Sequence, residues 1–313
     1  MSTCLITGGL GFIGSNTARK LLQLGYNVKI IDNLSTGSIA NIADIRNRVE
    51  LVKGDVTSQN DVKKAVKGAD FIFHFAAMTS VPKSMKSPVE TSTNNTYSTL
   101  VLLNEAIRQG IKKFIFASSA AVYGNSMQLP KKESFVPEPM SPYALSKITS
   151  EYYLKSFNSI YGLDSASLRY FNVYGPYQSP SSQYSGVISL FMKSAIEKAR
   201  PKIYGTGTQT RDFVFVDDVV NANILSMKKK TNAESINIAT STQTSILSLL
   251  GHISAISKEK LNPEFMPPRP GDIVHSVADI SKAKELLGFK PEHTLSEGLK
   301  KTFEWFMKTY KKA

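Results

Sequence analysis

Residues 7–14, with the sequence TGGLGFIG, decide the fold of this chain. Their glycines follow a short apolar run at Thr3–Thr7, and an amphipathic stretch, Ile13–Leu24, begins among them. Glycines between a strand and a helix permit a tight turn and let the backbone approach a pyrophosphate, which then lies at the positive end of the helix. The loop therefore predicts a dinucleotide site with contacts at Gly8, Gly11, Phe12, Ile13 and Gly14.

Asp32 supports this interpretation and indicates which dinucleotide is bound. It ends the next apolar run, Val28–Asp32, 18 residues after Gly14. A carboxylate at this place accepts hydrogen bonds from the adenosine ribose and repels the 2′-phosphate of NADP. Residues 33–35 contain no arginine that could hold such a phosphate. NAD is therefore the expected cofactor, and the alternative is a glycine turn that binds no ligand.

Later strand ends offer further contacts with the cofactor. Residues 55–56 follow an apolar run at Val49–Lys53, where a side chain could meet the adenine edge. Two alanines end the run that begins at Phe71, and small side chains would let the cofactor lie close to the backbone. Ordinary packing at a strand end is the alternative in each case. The candidate contacts are Asn33, Asp55, Val56, Phe75, Ala76 and Ala77.

Strand-like and helical stretches alternate through the first half of the chain. The strand-like runs are Thr3–Thr7, Val28–Asp32, Val49–Lys53, Phe71–Phe75, Phe114–Ser118 and Ser165–Arg169. The helical stretches are Ile13–Leu24, Asp61–Val66, Val89–Arg108 and Pro142–Tyr161. Ser141 and Gly162 flank the last of these as an N-cap and a C-terminal cap would. Strands separated by helices predict a parallel sheet covered on both faces, an α/β fold of the doubly wound Rossmann type.

The pattern loosens after about residue 170. Residues 174–186 and 262–272 are rich in Gly, Pro and Ser, which predicts ordered loops around a site or hinges. The later helical stretches are Val187–Ala199, Val219–Met227, Ile246–Ser257, Ile280–Leu287 and Leu295–Tyr310. We predict an NAD-binding Rossmann domain over residues 1–169 and a smaller α/β substrate-binding lobe over residues 170–313. This division also allows the chain of the substrate-binding lobe to cross back into the Rossmann domain.

Composition and charge narrow the range of partners. The 313 residues are 42% apolar, their longest apolar run is far too short to span a bilayer, and nothing resembles a signal peptide. The single cysteine, Cys4, fits a reducing cytosol. The net charge of +13 is mostly scattered lysine, without the aromatic interleaving of nucleic-acid platforms. We expect a cytoplasmic protein without a nucleic-acid partner, a membrane partner or a metal site.

Tyr143 and Lys147 form a candidate proton-transfer group. They lie four residues apart in one helical stretch and so share a face of the helix. A neighbouring ammonium and a positive nicotinamide ring would lower the tyrosine pKa from its ordinary value of about 10 toward the range of a general base. Ser119 follows the fifth strand-like run and can hydrogen-bond the reacting oxygen. A chance pair on an amphipathic helix is the alternative, and the position after the glycine loop and Ser119 disfavours it.

Six segments spread along the chain match the motifs of one known family. They are residues 7–14 (TGGLGFIG), 118–124 (SSAAVYG), 141–147 (SPYALSK), 169–176 (RYFNVYGP), 205–213 (GTGTQTRDF) and 269–272 (RPGD). In this order they resemble the extended short-chain dehydrogenase/reductase family, and within it the nucleotide-sugar 4-epimerases. The resemblance adds cofactor contacts at Asn95, Tyr143, Lys147 and Tyr170. Ser98 stands where the family's fourth-helix motif usually has glycine.

The resemblance also implies how a UDP-sugar is held. Asn172, Arg211 and Arg269 would bind the diphosphate, for which the planar fork of arginine is suited. Asp272 would lie near the uridine ribose, and ordinary salt bridges are the alternative for the arginines. The implied substrate contacts are Ser119, Asn172, Gln178, Val187, Tyr204, Arg211, Arg269, Asp272 and Ser276.

The reaction implied by the resemblance is a reversible oxidation at carbon 4 of the sugar. Tyr143 removes the hydroxyl proton while hydride passes to NAD, the 4-keto sugar turns about its diphosphate, and both return to the other face. Dehydratases of the family carry an Asp-Glu pair where this chain has Ser119-Ala120, and decarboxylases tend to carry an acid near this serine. A non-catalytic NAD-binding protein would lack the Tyr/Lys pair. A 4-epimerase is therefore expected.

The sugar is predicted from residue 276 and its neighbours. Ser276 is small where epimerases restricted to UDP-glucose often have a bulky aromatic, which leaves volume for a 2-acetamido group. Gln178 and residues 80–84 also resemble UDP-N-acetylglucosamine 4-epimerases, whereas Thr79 stands where these often have glycine. We rank UDP-GlcNAc/UDP-GalNAc first, with activity on UDP-Glc/UDP-Gal, and UDP-glucuronate as the alternative. The family implies a homodimer through residues 89–108 and 142–161.

Overall fold

The computed structural model describes residues 1–179, 186–268 and 273–310. Its strands are β1 (Thr3–Thr7), β2 (Asn27–Asp32), β3 (Val49–Lys53), β4 (Phe71–His74), β5 (Lys113–Ser119), β6 (Ser165–Tyr170), β7 (Asn172–Tyr174), β8 (Lys202–Tyr204), β9 (Thr210–Arg211), β10 (Phe213–Phe215), β11 (Glu234–Ile238), β12 (Thr244–Ser245) and β13 (Glu264–Met266). Its α-helices are α1 (Phe12–Gln23), α2 (Gln59–Val66), α3 (Val81–Lys86), α4 (Pro88–Ser92), α5 (Ser98–Arg108), α6 (Pro142–Tyr161), α7 (Val187–Glu197), α8 (Val216–Lys228), α9 (Ile246–Ser257), α10 (Ser281–Leu287) and α11 (Leu295–Tyr310).

Parallel strands form the central sheet in the order β11-β6-β5-β4-β1-β2-β3. The six strands predicted from the sequence all lie in it, with ends within one residue of the prediction. The strand order reverses at β1, because β2 lies on one side of it and β4 on the other. Ligands of open α/β sheets bind at the carboxyl ends of the strands beside such a reversal. The predicted Rossmann-type sheet is confirmed, and the glycine loop leaves β1 at this reversal.

The sheet is buried on both faces, because alternate side chains of a strand point in opposite directions. In β1, Ile6 belongs to a core with residues of α1, α8 and α10. Its neighbour Leu5 belongs to a second core, with residues of α2, α5 and α6. A third core lies between α7, α9 and α11 and includes Phe191, Leu249 and Phe306. The helices that carry the predicted site therefore rest on well-packed layers.

Helix α6 has the ends that its caps predict. The Ser141 hydroxyl accepts a hydrogen bond from the Ala144 amide at 3.1 Å, and Gly162 ends the helix with φ of +71°. The stretch predicted as one helix over 89–108 is observed as α4, a π-helical turn at Thr93–Tyr97 and α5.

No helix in the described parts of the chain combines the length and the apolarity that a bilayer crossing requires.

Residues after 170 contribute to the central sheet as well as to three small sheets. β11 pairs in parallel with β6, from Glu234 opposite Ala166 to Ile238 opposite Tyr170. The small sheets pair β7 with β10, β9 with β12 and β8 with β13. β13 lies within residues 262–272, so the loop prediction is wrong for that part; its partner strand is distant in sequence, and local composition does not reveal it. The two-domain division near residue 170 stays a prediction.

Candidate active site

The glycine loop is packed so tightly that only glycine fits at two of its positions. A Cβ on Gly8, which has φ of +66°, would lie 2.8 Å from the backbone nitrogen of Ala76 at the end of β4. A Cβ on Gly14 would overlap the carbonyl oxygen of Gly8. Gly11 is the N-cap of α1 and has no side chain to bond the first-turn N–H groups, so these remain available to an anion. The predicted loop contacts share this turn: Gly8, Gly11, Phe12, Ile13 and Gly14.

Asp32 lies at the end of β2, directly beside this loop. Its carboxylate is buried and accepts hydrogen bonds from the backbone nitrogens of Leu10 at 3.0 Å and Leu34 at 2.8 Å. A Cβ on Gly37 would lie 2.9 Å from both carboxylate oxygens, so the backbone of residue 37 covers this group closely. The loop and the carboxylate thus fit the pyrophosphate and the adenosine ribose of NAD.

Asn33 and Asp55 bond to each other across the ends of β2 and β3. The Asn33 amide donates to the Asp55 carboxylate at 2.9 Å, and Thr57 donates to it through its backbone and its hydroxyl. Burial tends to raise the pKa of Asp55, but these hydrogen bonds outweigh burial and lower it. Val56 is buried next to Asp55. These hydrogen bonds fix the Asp55 side chain, which is predicted to lie near the adenine, in one orientation.

The end of β4 is held by Thr7. Its hydroxyl accepts hydrogen bonds from the backbone nitrogens of Phe75 at 3.2 Å and Ala76 at 3.1 Å. The same hydroxyl lies 2.7 Å from Nδ1 of His74, a buried side chain below the site. Residues 75–77 are partly exposed, as a surface that contacts a cofactor requires.

Two further predicted cofactor residues use their polar groups within the protein. Asn95 donates to the Met78 carbonyl at 3.1 Å and to the Ser146 hydroxyl at 2.9 Å, and its oxygen accepts from the Met78 amide at 2.8 Å. It therefore ties the segment after β4 to α6. Tyr170 donates to Oδ1 of Asn223 at 2.6 Å, and burial raises its pKa. Both residues therefore already have polar partners within the protein, and their contacts with the cofactor stay a prediction.

Ser119, Tyr143 and Lys147 meet at the carboxyl end of β5. Lys147 lies on α6, is 3% exposed and donates to the Ala117 carbonyl at 2.8 Å. Its ammonium nitrogen lies 5.8 Å from the ring centre of Tyr143 and 4.8 Å from that of Phe116. Helix α6 thus presents the tyrosine and the lysine on one face toward the strand that carries the serine.

Burial governs the pKa values of this pair. It raises the pKa of Tyr143, and a hydrogen bond with Ser119 acts in the opposite direction. It lowers the pKa of Lys147 to about 7, against the charge of Glu151. Desolvation therefore dominates the tyrosine pKa in the protein alone, and the predicted lowering by the ammonium together with the nicotinamide ring of NAD stays a prediction.

Three segments that carry predicted substrate residues come together beyond the main sheet. The Asn172 amide donates to the Asp212 carbonyl at 3.1 Å, next to Arg211. The Ser276 amide donates to the Thr210 carbonyl at 3.2 Å. Gln178 donates to the Val173 carbonyl at 3.2 Å. Val187 begins α7, Tyr204 ends β8, and Arg269 and Asp272 lie outside the described residues.

Asp212, which the sequence analysis does not assign, holds these segments together. It is buried, and it accepts from the Thr240 hydroxyl at 2.7 Å and the Ala278 amide at 3.1 Å. Glu151 and Arg169, also unassigned, form a buried ion pair behind Lys147. For Glu151 and Arg169, the available sequence signal is a charged residue inside a predicted helix or strand, because buried charges require partners. Asp212 lies in no predicted element, so this signal does not find it.

The glycine loop, Asp32 and the Ser119/Tyr143/Lys147 group define a dinucleotide-binding protein equipped for proton transfer. Residues 4–239 match the model of the NAD dependent epimerase/dehydratase family, and the chain belongs to that family. The predicted family and the predicted cofactor, NAD, are confirmed.

Relatives of known name cover nearly the whole chain. A UDP-N-acetylglucosamine 4-epimerase of Methanobrevibacter ruminantium M1 is 41% identical, with a TM-score of 0.95 and coverage of 98% of this chain and 99% of the relative. A UDP-glucose 4-epimerase of Thermotoga maritima is 38% identical, with a TM-score of 0.94 and the same coverage. A UDP-glucose 4-epimerase of Mycolicibacterium smegmatis is 36% identical over 306 residues, 96% of this chain and 97% of the relative.

Proposed function

We propose that the protein is an NAD-dependent UDP-sugar 4-epimerase, which inverts carbon 4 through a transient 4-keto sugar. The observation that carries the proposal is the Ser119/Tyr143/Lys147 group at the carboxyl end of β5, beside a glycine loop and Asp32 that fit NAD. Bound NAD supplies the acceptor and donor of the hydrogen on carbon 4. The names of relatives that cover 96% or more of the chain support the same activity.

Each residue of the group has a role that follows from its surroundings. Tyr143 takes the proton of the 4-hydroxyl and returns it, and Ser119 hydrogen-bonds the same oxygen. Lys147 supplies a positive charge that favours the phenolate and a donor for the nicotinamide ribose. Ser119-Ala120 leaves no carboxyl group beside the sugar for elimination of water. The group therefore suits reversible oxidation and return, rather than dehydration.

The sugar must turn while its nucleotide stays bound, so the anchor is expected on the diphosphate. We assign this anchor to Asn172 and Arg211, which are brought together by the pairing of β7 with β10 and by the hydrogen bond of Asn172 to residue 212. Arg269 and Asp272 join them by sequence. An anchor remote from Tyr143 leaves the sugar free to present either face.

We propose UDP-GlcNAc/UDP-GalNAc as the preferred pair, with activity on UDP-Glc/UDP-Gal. Ser276 is 7% exposed, and its small side chain limits how much of the sugar pocket is filled. The named activity of the M. ruminantium relative supports this choice, and that of the T. maritima relative supports UDP-glucose. UDP-glucuronate is the alternative substrate.

Purified protein is incubated with UDP-GlcNAc, UDP-Glc and UDP-glucuronate, and the products are separated by chromatography. We expect UDP-GalNAc as the faster product and UDP-Gal as the slower one. Tyr143→Phe should abolish turnover and leave NAD bound, because it removes the hydroxyl alone. Retained turnover in that variant contradicts the role of Tyr143, and no epimer from any of the three contradicts the proposed activity.

We also propose a homodimer through α4–α6. Helices α4 and α6 pack against each other, and both carry large apolar side chains on the solvent side. Those exposed by 55% or more are Val89 on α4 and Leu145, Tyr152, Ile160 and Tyr161 on α6. Apolar patches of this kind mark interaction sites. Light scattering after gel filtration should give twice the chain mass, and Leu145→Glu should give the chain mass; a monomeric wild type contradicts the proposal.

A further inference from the structure

We propose that Glu151, held by Arg169, is a positioning residue that stabilises the ammonium form of Lys147 and fixes helix α6 on the sheet. The inference rests on the proposed function, in which this ammonium acts beside Tyr143. Glu151 lies on α6 one turn after Lys147, so the two side chains share a face of the helix. Both are buried.

Donors from three neighbouring strands hold the carboxylate of Glu151. Arg169 on β6 donates from Nε to Oε1 at 2.9 Å and from Nη2 to Oε2 at 2.7 Å. Ser118 on β5 donates to Oε1, and Ser235 on β11 donates to Oε2 at 2.7 Å. Bidentate, charge-assisted bonds of this kind favour the charged form of a carboxylate and restrict its rotamer. Glu151 is therefore a fixed negative charge inside α6.

Arg169 is held from its other side by a second set of groups. Its Nη1 donates to the Tyr123 hydroxyl at 3.0 Å, and this hydroxyl donates to Oδ1 of Asn237 at 2.7 Å. Glu133 accepts from the backbone amide of Asn237 at 2.7 Å, and the charge of Arg169 acts on it. The position of Arg169, and with it that of Glu151, is thus independent of the cofactor.

The negative charge of Glu151 counteracts the effect of burial on Lys147. The titratable groups that face it are Tyr143 and Glu151 on its own helix and His74 on β4. Burial lowers the pKa of His74 to about 3, so this ring is neutral at working pH. Burial also lowers the pKa of Lys147 to about 7, and Glu151 is the group that raises it. Loss of the carboxylate would remove this support and leave the Arg169 cation unpaired nearby.

The test is a measurement of the Lys147 pKa by NMR of its side-chain nitrogen in the full chain with NAD bound. It is made in the Tyr143→Phe background, because a neighbouring tyrosine would titrate together with the lysine. Glu151→Gln should lower this pKa by about one unit, the size of effect expected for a nearby opposite charge. An unchanged pKa in Glu151→Gln overturns the proposal.

Ser235→Ala is the matched control, because it removes one hydrogen bond to Glu151 and no charge. It should leave the Lys147 pKa in place, and an equal fall in both variants overturns the proposal by assigning the effect to packing. If Glu151→Gln does not fold, the Glu151 carboxyl carbon is observed by NMR in the Tyr143→Phe protein while the pH passes through the Lys147 pKa. Its chemical shift should follow the Lys147 titration, because the two groups interact, and a shift that does not follow this titration overturns the proposal.

Kinetics add a second readout and separate this inference from the proposed function. With Tyr143 present and at about pH 8, above the Lys147 pKa in both proteins, Glu151→Gln should lower kcat about tenfold, because one pKa unit then represents about a tenfold loss of ammonium. KM for the UDP-sugar should stay unchanged, because the diphosphate anchor is remote; an unchanged kcat overturns the proposal. A wild type that epimerises no UDP-sugar refutes the proposed function, whereas the NMR result stands on its own.

Discussion

Gly14→Ala tests whether the glycine loop is shaped for a bound dinucleotide. The new Cβ would overlap the carbonyl oxygen of Gly8 and lie 2.7 Å from the Cα of Gly9. Both are backbone atoms, so the loop itself must shift to make room. Overpacking of this kind costs about 1–3 kcal/mol, and the shift displaces N–H groups that face the pyrophosphate. Because about 1.4 kcal/mol is tenfold in Kd, NAD affinity should fall by about tenfold to a hundredfold.

NAD binding is measured by isothermal titration calorimetry, and stability by thermal unfolding. Gly251→Ala is the control, because it makes the same substitution inside α9, where nothing lies within 4 Å of the new Cβ. It should leave NAD affinity unchanged and add up to about 1 kcal/mol of stability, since alanine favours a helix over glycine. Wild-type NAD affinity in Gly14→Ala would refute the reasoning about the loop.

Two further predictions concern acid stability and sugar choice. Burial lowers the pKa of His74 to about 3 from 6.5, so the folded state holds the neutral ring. The contribution of this ring to the free energy of unfolding should be fully present above pH 6.5. As the pH is lowered from 6.5 toward 3, the free energy of unfolding should decrease by up to about 1.4 kcal/mol per pH unit. Urea unfolding at several pH values should show that this free energy changes less steeply with pH in His74→Gln than in the wild type, and an equal dependence on pH contradicts the prediction. Ser276→Tyr should lower kcat/KM for UDP-GlcNAc about tenfold more than for UDP-Glc by filling the pocket; equal losses contradict the assignment of Ser276.

Features with local causes could be predicted from the sequence. The glycine loop lies between a strand and a helix that both have clear periodicity, so its place in the fold follows from neighbouring residues. The ends of α6 follow from Ser141 and Gly162, whose capping depends on adjacent backbone alone. The parallel sheet follows from the alternation of strands and helices. These parts of the prediction are confirmed in the structure.

Features with distant causes could not be predicted. The turn at Thr93–Tyr97 accompanies the hydrogen bonds of Asn95 to Met78 and Ser146, which are distant in sequence. β13 forms only because residues 202–204 provide a partner. The pKa values at Tyr143 depend on burial, and burial is a property of the whole fold. Spacing along one helix reveals that two groups are close, but not how much water reaches them.

The buried network behind α6 is the largest part of the site that local sequence patterns do not predict. Arg169 stands inside a strand-like run, and Glu151 lies four residues after Lys147, but their pairing joins two elements and is fixed by β11 as well. β11 itself, Glu234–Ile238, lies far along the chain from β6, its partner in the sheet. The Glu151–Arg169 ion pair depends on three strands that are distant in sequence, so local sequence patterns do not predict it.

The central claim is that hydrogen leaves carbon 4 and returns to the same carbon of the same sugar. It is tested by converting UDP-GlcNAc that carries deuterium at carbon 4 and measuring the label in the product by mass spectrometry and NMR. The account predicts UDP-GalNAc with the deuterium retained at carbon 4, and no product from Tyr143→Phe. Loss of the label to solvent, or its appearance at another carbon, would contradict the account.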